Sequence, residues 1–184
     1  PETKVGRYFP ADTFEKEGLM KLKDAVGSPV PLKAKGGRAE AELHLTLLSN
    51  LVNYETERDR PDKDGTTVLS PYLKFGVISP REAYNALREA LPKNHHALTR
   101  QLYWRDFFTH IGASMPHVYG KSFREEYDRV PWEYDEERFT KWKNGTTGFP
   151  IVDAGMRQLN ESGWMHNRVR MITASFLTKD LHMD

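Results

Sequence analysis

Apolar side chains recur along this chain at the spacing of an α-helix, and no convincing segment alternates apolar and polar residues as a half-buried strand does. The clearest run begins at Arg38, and its apolar residues near one helical face are Ala41, Leu45, Leu48, Leu51 and Val52. Pro61 ends this run, and further helical runs follow between proline and glycine residues. The sequence therefore predicts an all-α fold without an internal repeat.

Capping residues predict where several of these helices begin and end. Ser70 is predicted to be the N-cap of a helix, Pro71 is typical of the first helical position, and Gly76 is typical of the position that stops a helix. Ser79 followed three residues later by Glu82 forms a capping box, which predicts a second helix start. Later helices are predicted over about 95–113, 135–142 and 151–160, and from about Trp164 onward. We predict a connector with one short helix over residues 1–37 and a helical domain over residues 38–184.

The composition bounds the classes of function. Lysine and arginine total 27 against 26 aspartates and glutamates, so any attraction to nucleic acid depends on where the charges lie. The chain has no cysteine, which excludes disulfides and thiol nucleophiles, and its 7 histidines lack the spacing of a metal site, so we expect no metal. No apolar run approaches the roughly 20 residues of a membrane span. We expect an intracellular protein, cytoplasmic or nuclear, with no membrane partner, and we interpret both ends of the sequence as cuts in a longer chain.

Two stretches place an unusual mixture of side chains on one helical face. Each has residues at positions i, i+3, i+4 and i+7: Gln101, Trp104, Arg105 and Phe108 in the first, and Trp164, Asn167, Arg168 and Met171 in the second. Each stripe contains an indole, a guanidinium and a carboxamide, which suits neither a purely apolar core nor a purely solvated face. Such groups can hold an unstacked base, and we expect both stripes to face one cavity. A snorkelling arginine or a cation–π pair on a helix surface would give the same spacing.

A hydroxyl-rich segment precedes the predicted helix start at Ser70. Thr66, Thr67 and Ser70 combine three hydroxyls with the free backbone N–H groups of a helix start, which is a suitable site for an anion such as a diphosphate. Simple capping of the helix is the alternative interpretation.

Four sequence motifs are more specific to one protein family than the helical periodicity is. They are Asp64–Gly76, Tyr103–Phe108, Thr147–Leu159 and Gly163–Arg168. In this order they closely resemble the flavin domain of the photolyase and cryptochrome family. The resemblance is strong from about Tyr54 to Asp184 and loose over the first fifty residues.

The resemblance implies an FAD site in a helical flavin-binding domain. The residues that match the family's FAD contacts are Tyr54, Thr66, Thr67, Val68, Leu69 and Ser70, with the diphosphate at the helix start. Arg105 matches a residue near both flavin and DNA, and Arg170 matches an arginine that pairs with an acidic residue of the flavin site. Further flavin contacts of the family lie past the position of Asp184, so the domain is expected to be incomplete at its C-terminal end.

The resemblance also implies contacts with damaged DNA. The matching residues are Arg58, Gln101, Trp104, Arg105, Phe108, Asn167, Arg168 and Met171. Among the residues with a catalytic role, Trp104 would stack on a flipped pyrimidine dimer, and Trp132 matches the outermost tryptophan of a chain that passes an electron to photoexcited flavin. Gln101 stands where many dimer photolyases have Glu, and its amide can donate a hydrogen bond but cannot act as an acid.

The implied function is light-driven repair of cyclobutane pyrimidine dimers by electron transfer from reduced FAD. The complete parent protein would be a deoxyribodipyrimidine photolyase, which is a carbon–carbon lyase. Two alternatives stay open, a cryptochrome-type blue-light photoreceptor and a helical fragment that cannot hold FAD alone. In the second case, a complementary chain or domain would complete the flavin site.

Overall fold

The structure is a computed structural model that describes residues 32–184. The short helix expected in the connector falls on residues 1–31 and lies outside the described residues. The last part of the connector, residues 32–37, contains no helix, and the first described helix begins at Arg38, as the sequence predicts.

The described residues form helices joined by turns, and no strand occurs among them, so the prediction of an all-α fold is confirmed. The α-helices are α1 (Arg38–Thr46), α2 (Tyr54–Glu57), α3 (Ser70–Lys74), α4 (Pro80–Ala90), α5 (His96–Ser114), α6 (Glu136–Asn144), α7 (Pro150–Ser162) and α8 (Asn167–Ser175). Short 3-10 helices span Leu47–Asn50, Pro116–Tyr119 and Glu125–Arg129, and a π-helical turn over Phe176–Asp180 continues α8. Within residues 32–184, no helix is both long and apolar enough to cross a membrane.

Helix α3 is five residues long and is closed at both ends by turns. It begins at Ser70 with Leu69 as its N-cap, so the prediction that Ser70 caps the helix is wrong by one position. The cause is the turn before it, where Val68 has a φ of 52° and the Thr67 hydroxyl accepts a hydrogen bond from the Leu69 N–H at 3.2 Å. Gly76, with a φ of 67°, ends the helix as predicted, because this left-handed conformation carries no steric cost for glycine.

Helix α4 begins as the capping box predicts, and it belongs to the larger of two hydrophobic cores. The Ser79 hydroxyl accepts a hydrogen bond from the Glu82 N–H at 3.1 Å. The core is formed by α1, α3, α4, the start of α5 and the turns between them; among its buried side chains are Ala41, Leu48, Tyr72, Ile78, Ala83, Leu87 and Leu98. This packing leaves the remaining length of α5 outside the core, with its side chains exposed from Tyr103 to His110.

The second core joins α7 and α8, which cross closely at Gly155. A Cβ at this position would come within 2.4 Å of a methyl group of Val169, so only glycine permits this approach. From α6, the Trp142 indole donates a hydrogen bond to the Thr173 carbonyl at 3.0 Å. The buried residues of this core are Val152, Met156, Met165, Val169 and Phe176.

The turn that leads into α7 is held by the buried carboxylate of Asp153. Its oxygens accept hydrogen bonds from the Thr147 N–H at 2.8 Å, the Thr147 hydroxyl at 2.6 Å and the Gly148 N–H at 3.0 Å. Burial raises the pKa of Asp153, but these hydrogen bonds together outweigh burial and hold the pKa below its usual value. The ionised carboxylate therefore fixes the entry to α7.

Helix α8 begins at Asn167, three residues later than the sequence predicts. After α7 ends at Gly163, the chain runs without helical structure through Trp164 to His166. The His166 ring caps α8, because its Nδ1 accepts a hydrogen bond from the Arg168 N–H at 3.1 Å. Trp164 therefore does not share a helical face with Asn167 and Arg168, and the prediction of the second stripe is wrong for this residue.

Candidate functional site

A cavity of about 700 Å³ lies beside helices α3 and α5. Its volume is typical of small-molecule and cofactor sites. Leucines form much of its wall and polar groups interrupt them; the lining residues include Tyr54, Thr67, Leu69, Ser70, Leu73, Leu98, Gln101, Leu102, Arg105 and Phe108. The cavity thus combines an apolar surface with hydroxyl, amide and guanidinium groups.

The turn before α3 presents its side chains to different depressions. Thr67, Leu69 and Ser70 line the α3–α5 cavity. Thr66 and Val68 instead line a neighbouring hollow of about 280 Å³, which Thr67 also contacts. Val68 has a positive φ, which is unusual for a β-branched residue and marks a sharp turn of the backbone at this point. Of the hydroxyl cluster expected from the sequence, Thr67 and Ser70 therefore line the larger cavity and Thr66 does not.

Tyr54 contributes a buried phenol to the same cavity. It is the first residue of α2, and its side chain is only 9% exposed. Burial raises the pKa of the phenol, against the opposing effect of Arg58, whose guanidinium lies 5.7 Å from the ring centre. The hydroxyl is therefore protonated at neutral pH and can donate a hydrogen bond.

Two polar residues of α5 also line the cavity. The side-chain amide of Gln101 donates a hydrogen bond to the Ala97 carbonyl one turn earlier, at 3.0 Å. This bond holds the amide against its own helix while Gln101 lines the cavity. Arg105 also lines the cavity and forms an ion pair with Asp106, with 3.1 Å between Nη1 and Oδ1.

Helix α5 also carries an exposed aromatic cluster at the rim of the cavity. Trp104 is 50% exposed, and its ring stacks on Phe108 with centroids 6.0 Å apart and planes 28° apart. Phe107 meets Trp104 edge to face at 5.5 Å. Phe108 also lines the cavity, so the cluster and the cavity are continuous. Three large rings held at a protein surface offer flat area for stacking at little loss of conformational freedom.

Several further residues line this cavity that were not predicted from the sequence. They are Leu73, Lys74, Leu87, Leu98, Leu102, Thr109 and Tyr119. For those on α5 a signal was available, because Leu98 and Thr109 continue the three- and four-residue spacing of the predicted stripe in both directions. Tyr119 carries no such signal, since the chain turns after Ser114 before Tyr119 meets the cavity.

The residues of the second stripe lie at a different depression. Arg168 and Met171 line a groove of about 540 Å³ together with Phe149, Ile151, Ile172 and Phe176. Asn167 is exposed on the first turn of α8, with its amide 3.8 Å from the sulfur of Met171. The prediction that both stripes face one cavity is therefore wrong: Arg168 and Met171 line a groove beside α7, and Trp164 lies before α8 begins.

An ion pair nonetheless connects α8 to the turn after α2. Arg168 donates a hydrogen bond from Nη2 to Oδ1 of Asp59 at 2.5 Å, although the two residues are 109 positions apart. Arg58 Nε lies 3.6 Å from the same carboxylate oxygen. The hydrogen bond from Arg168 is the main cause of the lowered pKa of Asp59. Arg58 and Arg168 thus share one counterion.

Two further residues expected in the site lie away from the α3–α5 cavity. Arg170 is exposed on α8 and donates a hydrogen bond to the Met165 carbonyl at 3.0 Å. Trp132 is 42% exposed and lines a small cavity of about 420 Å³ behind the 3-10 helices. Tyr119 lines both this small cavity and the α3–α5 cavity, so it lies between Trp132 and the larger site.

The chemistry available at the α3–α5 cavity is that of binding and orientation. Within residues 32–184, no group of three or more histidines, aspartates and glutamates could hold a metal ion. The polar groups of the residues that line the cavity are the hydroxyls of Thr67, Ser70 and Tyr54, the Gln101 amide and the Arg105 guanidinium. These groups fit a ligand that has both a polar or anionic part and a flat apolar part.

Comparison with known proteins gives the class to which this fold belongs. The family model of the FAD-binding domain of DNA photolyase matches residues 98–184, which include α5 from its third residue onward and the second core. A class III photolyase from Agrobacterium tumefaciens superposes with a TM-score of 0.76 and 38% identity, over 92% of this chain and 35% of that one. A cryptochrome from Synechocystis has the same TM-score, 0.76, at 32% identity over 84% of this chain and 34% of that one.

Sequence comparison finds relatives of the same class. The deoxyribodipyrimidine photo-lyase of Alkalihalophilus pseudofirmus is 46% identical over 144 residues, which are 77% of this chain and 30% of that protein. That of Escherichia coli is 40% identical over 190 aligned positions, which cover 100% of this chain and 38% of that protein. The chain thus spans about a third of the length of the curated relatives it matches. It belongs to the DNA photolyase and cryptochrome family.

Proposed function

We propose that the protein containing this chain binds FAD in the α3–α5 cavity and repairs cyclobutane pyrimidine dimers in DNA under blue light. The observation that carries this proposal is the continuity of the cavity with the aromatic cluster of Trp104, Phe107 and Phe108. A cofactor in the cavity would lie next to a surface suited to an extruded base. The relatives named deoxyribodipyrimidine photo-lyase support the same conclusion.

The groups that would hold FAD divide by chemistry. Thr67 and Ser70 hydroxyls suit the diphosphate, and the leucines of the cavity suit the flat ring system. When bound in its reduced form, FAD supplies the light-driven electron that splits the dimer. Arg105 adds positive charge beside the cavity, which favours an anionic ligand and DNA.

The groups that would hold the dimer are on the rim. Extruding a damaged base step from the duplex costs a few kcal/mol, because such a step is already poorly stacked. Stacking on the Trp104 ring would return about 1–3 kcal/mol of this cost. Gln101 would orient the dimer through its amide, and as an amide it cannot transfer a proton to it.

The residues of the second stripe would contact the DNA backbone. Asn167, Arg168 and Arg58 present amide and guanidinium groups, which are typical phosphate contacts. Met171 would supply an apolar wall beside the lesion, and Trp132 the outer station of an electron path to the flavin. Since DNA is the substrate, the protein would work in the compartment that holds the genome, either a bacterial cytoplasm or a nucleus.

A cryptochrome-type photoreceptor is the second candidate, favoured by the similarity to the Synechocystis cryptochrome. One experiment separates the two. The flavin-loaded protein is mixed with an oligonucleotide that carries a single thymine dimer, and dimer loss is measured in the dark and under blue light. We expect loss that depends on both light and protein. A flavin absorbance change under blue light without dimer loss would contradict the repair function and favour the photoreceptor.

A further inference from the structure

Asp59 contacts two arginines, its chain neighbour Arg58 and Arg168, which is 109 positions away. Its Oδ1 accepts a hydrogen bond from Arg168 Nη2 at 2.5 Å and lies 3.6 Å from Arg58 Nε. All three side chains are partly exposed, at 53% for Asp59, 41% for Arg168 and 27% for Arg58. The two guanidinium groups can therefore still contact a ligand from solvent while they share the carboxylate.

The backbone around Arg168 is held in place as well as its side chain. His166 is 1% exposed, and its Nδ1 accepts the hydrogen bond from the Arg168 N–H at 3.1 Å. The Trp164 ring packs edge-on against the His166 ring, with centroids 6.2 Å apart. The first turn of α8 thus carries Arg168 on a fixed backbone, and Asp59 fixes the far end of the side chain.

We propose that Asp59 is a positioning residue that holds Arg58 and Arg168 in one arrangement for two phosphates of the DNA backbone. This inference rests on the proposed function. The attraction of the Asp59 carboxylate for both guanidinium groups offsets part of the repulsion between them. The carboxylate also restricts two long, flexible side chains before DNA arrives, so less conformational entropy is lost on binding.

The sign of the effect separates this role from simple electrostatics. A carboxylate near bound phosphates repels them, so removal of its charge alone would strengthen DNA binding. If Asp59 positions the arginines, its loss weakens binding although the charge change is favourable. If Asp59 only stabilised the fold, its substitution would leave the affinity for DNA unchanged in a protein that remains folded, with or without Arg168.

The test uses the whole flavin-loaded protein with the Asp59→Asn variant. Affinity for thymine-dimer DNA is measured at one fixed salt concentration, with flavin absorbance and the thermal midpoint as checks of folding. We expect affinity to fall by about threefold or more, a modest loss in keeping with a partly exposed ion pair. Binding that is unchanged or tighter in Asp59→Asn would overturn the inference.

Asp62→Asn is the matched control. Asp62 is 59% exposed and pairs with Arg60 at 2.6 Å, only two positions away, so its loss makes the same charge change nearby. We expect this variant to bind dimer DNA as tightly as the wild type or more tightly. A loss equal to that of Asp59→Asn would mean that a charge change in this turn weakens binding whatever its partner, which would overturn the positioning role.

A double variant tests whether Asp59 acts through Arg168. In an Arg168→Gln background, Asp59→Asn should cause a smaller loss of affinity than in the wild type, because only Arg58 is left for Asp59 to position. The same loss in both backgrounds would overturn the inference. Failure of the proposed function is distinguishable, because the wild type would then show no preference for dimer DNA over undamaged duplex. If that preference exists and Asp59→Asn binds dimer DNA as tightly as the wild type, only the role of Asp59 fails.

Discussion

The backbone N–H of Arg168 donates a hydrogen bond to Nδ1 of His166 over 3.1 Å. Nδ1 must be unprotonated to accept it, so the neutral ring carries its proton on Nε2. Nε2 is buried and has no hydrogen-bond partner in the part of the chain that the structure describes. Burial lowers the pKa of His166, and the positive charge of Arg168 adds to this effect while Asp59 opposes it. The cap of α8 is therefore a neutral histidine.

A pH dependence of stability follows from this cap. Because the pKa of His166 is lower in the folded protein than in the unfolded chain, the unfolded chain binds the proton more readily. Stability is unaffected by this group at high pH and falls as the pH drops below about 6.5, the ordinary value for histidine. We expect the wild-type thermal midpoint to fall as the pH is lowered from neutral to mildly acidic.

His166→Asn isolates the contribution of this residue. The Asn side-chain oxygen can accept the same hydrogen bond from the Arg168 N–H, and the amide does not titrate. The variant loses some stability at neutral pH, since it fills less of the buried space. Its thermal midpoint should depend less on pH than that of the wild type. Equal pH dependence in the two proteins would show that His166 is not the titrating group.

The aromatic cluster on α5 gives a prediction about recognition. Trp104→Ala in the whole protein should weaken binding to dimer-containing DNA by about 1–3 kcal/mol, the usual contribution of stacking on one base. Binding to undamaged duplex should weaken less, because no base is extruded there. Fluorescence anisotropy with matched oligonucleotides measures both affinities.

Tyr103→Ala is the control for Trp104→Ala. Tyr103 is the preceding residue of the same helix and is 67% exposed, but it does not line the α3–α5 cavity. We expect its loss to leave the preference for dimer DNA unchanged. If Trp104→Ala weakened binding to damaged and undamaged DNA equally, the stacking role of Trp104 would be contradicted.

The parts of the fold that depend on local sequence were predictable. Helix α5 was expected over about 95–113 and spans His96–Ser114. The prediction succeeded because the signals for this helix, its apolar spacing and the lack of an internal proline, lie within its own residues. The stop of α3 at Gly76 and the cap of α4 by Ser79 are equally local. The residues of the α5 stripe therefore reached the cavity as expected, apart from Trp104 on its rim.

The errors arose where distant contacts decide the structure. Histidine is not a common N-cap residue, so no residue type in this segment indicated that α8 starts after His166 rather than at Trp164. The Lys33 ammonium lies 4.3 Å from the Trp164 ring centre, a contact with a residue far away in the sequence. Asp59 was missed for the same reason, since its partner Arg168 is 109 positions away. No spacing rule connects such residues.

The most direct test of the α3–α5 cavity as the flavin site is a substitution that fills it. Ser70 is exposed at the first position of α3 and lines the cavity, so the ring in Ser70→Phe would occupy space that the cofactor needs. Ser49→Phe is the matched control, because Ser49 is exposed on a short 3-10 helix and is not among the residues lining the cavity.

The measurement is the flavin absorbance per molecule of purified whole protein, with the thermal midpoint of the flavin-free protein as the check of folding. We predict that Ser70→Phe loses most of its flavin while it stays folded, and that Ser49→Phe keeps the wild-type amount. A full complement of flavin in folded Ser70→Phe would contradict the assignment of this cavity.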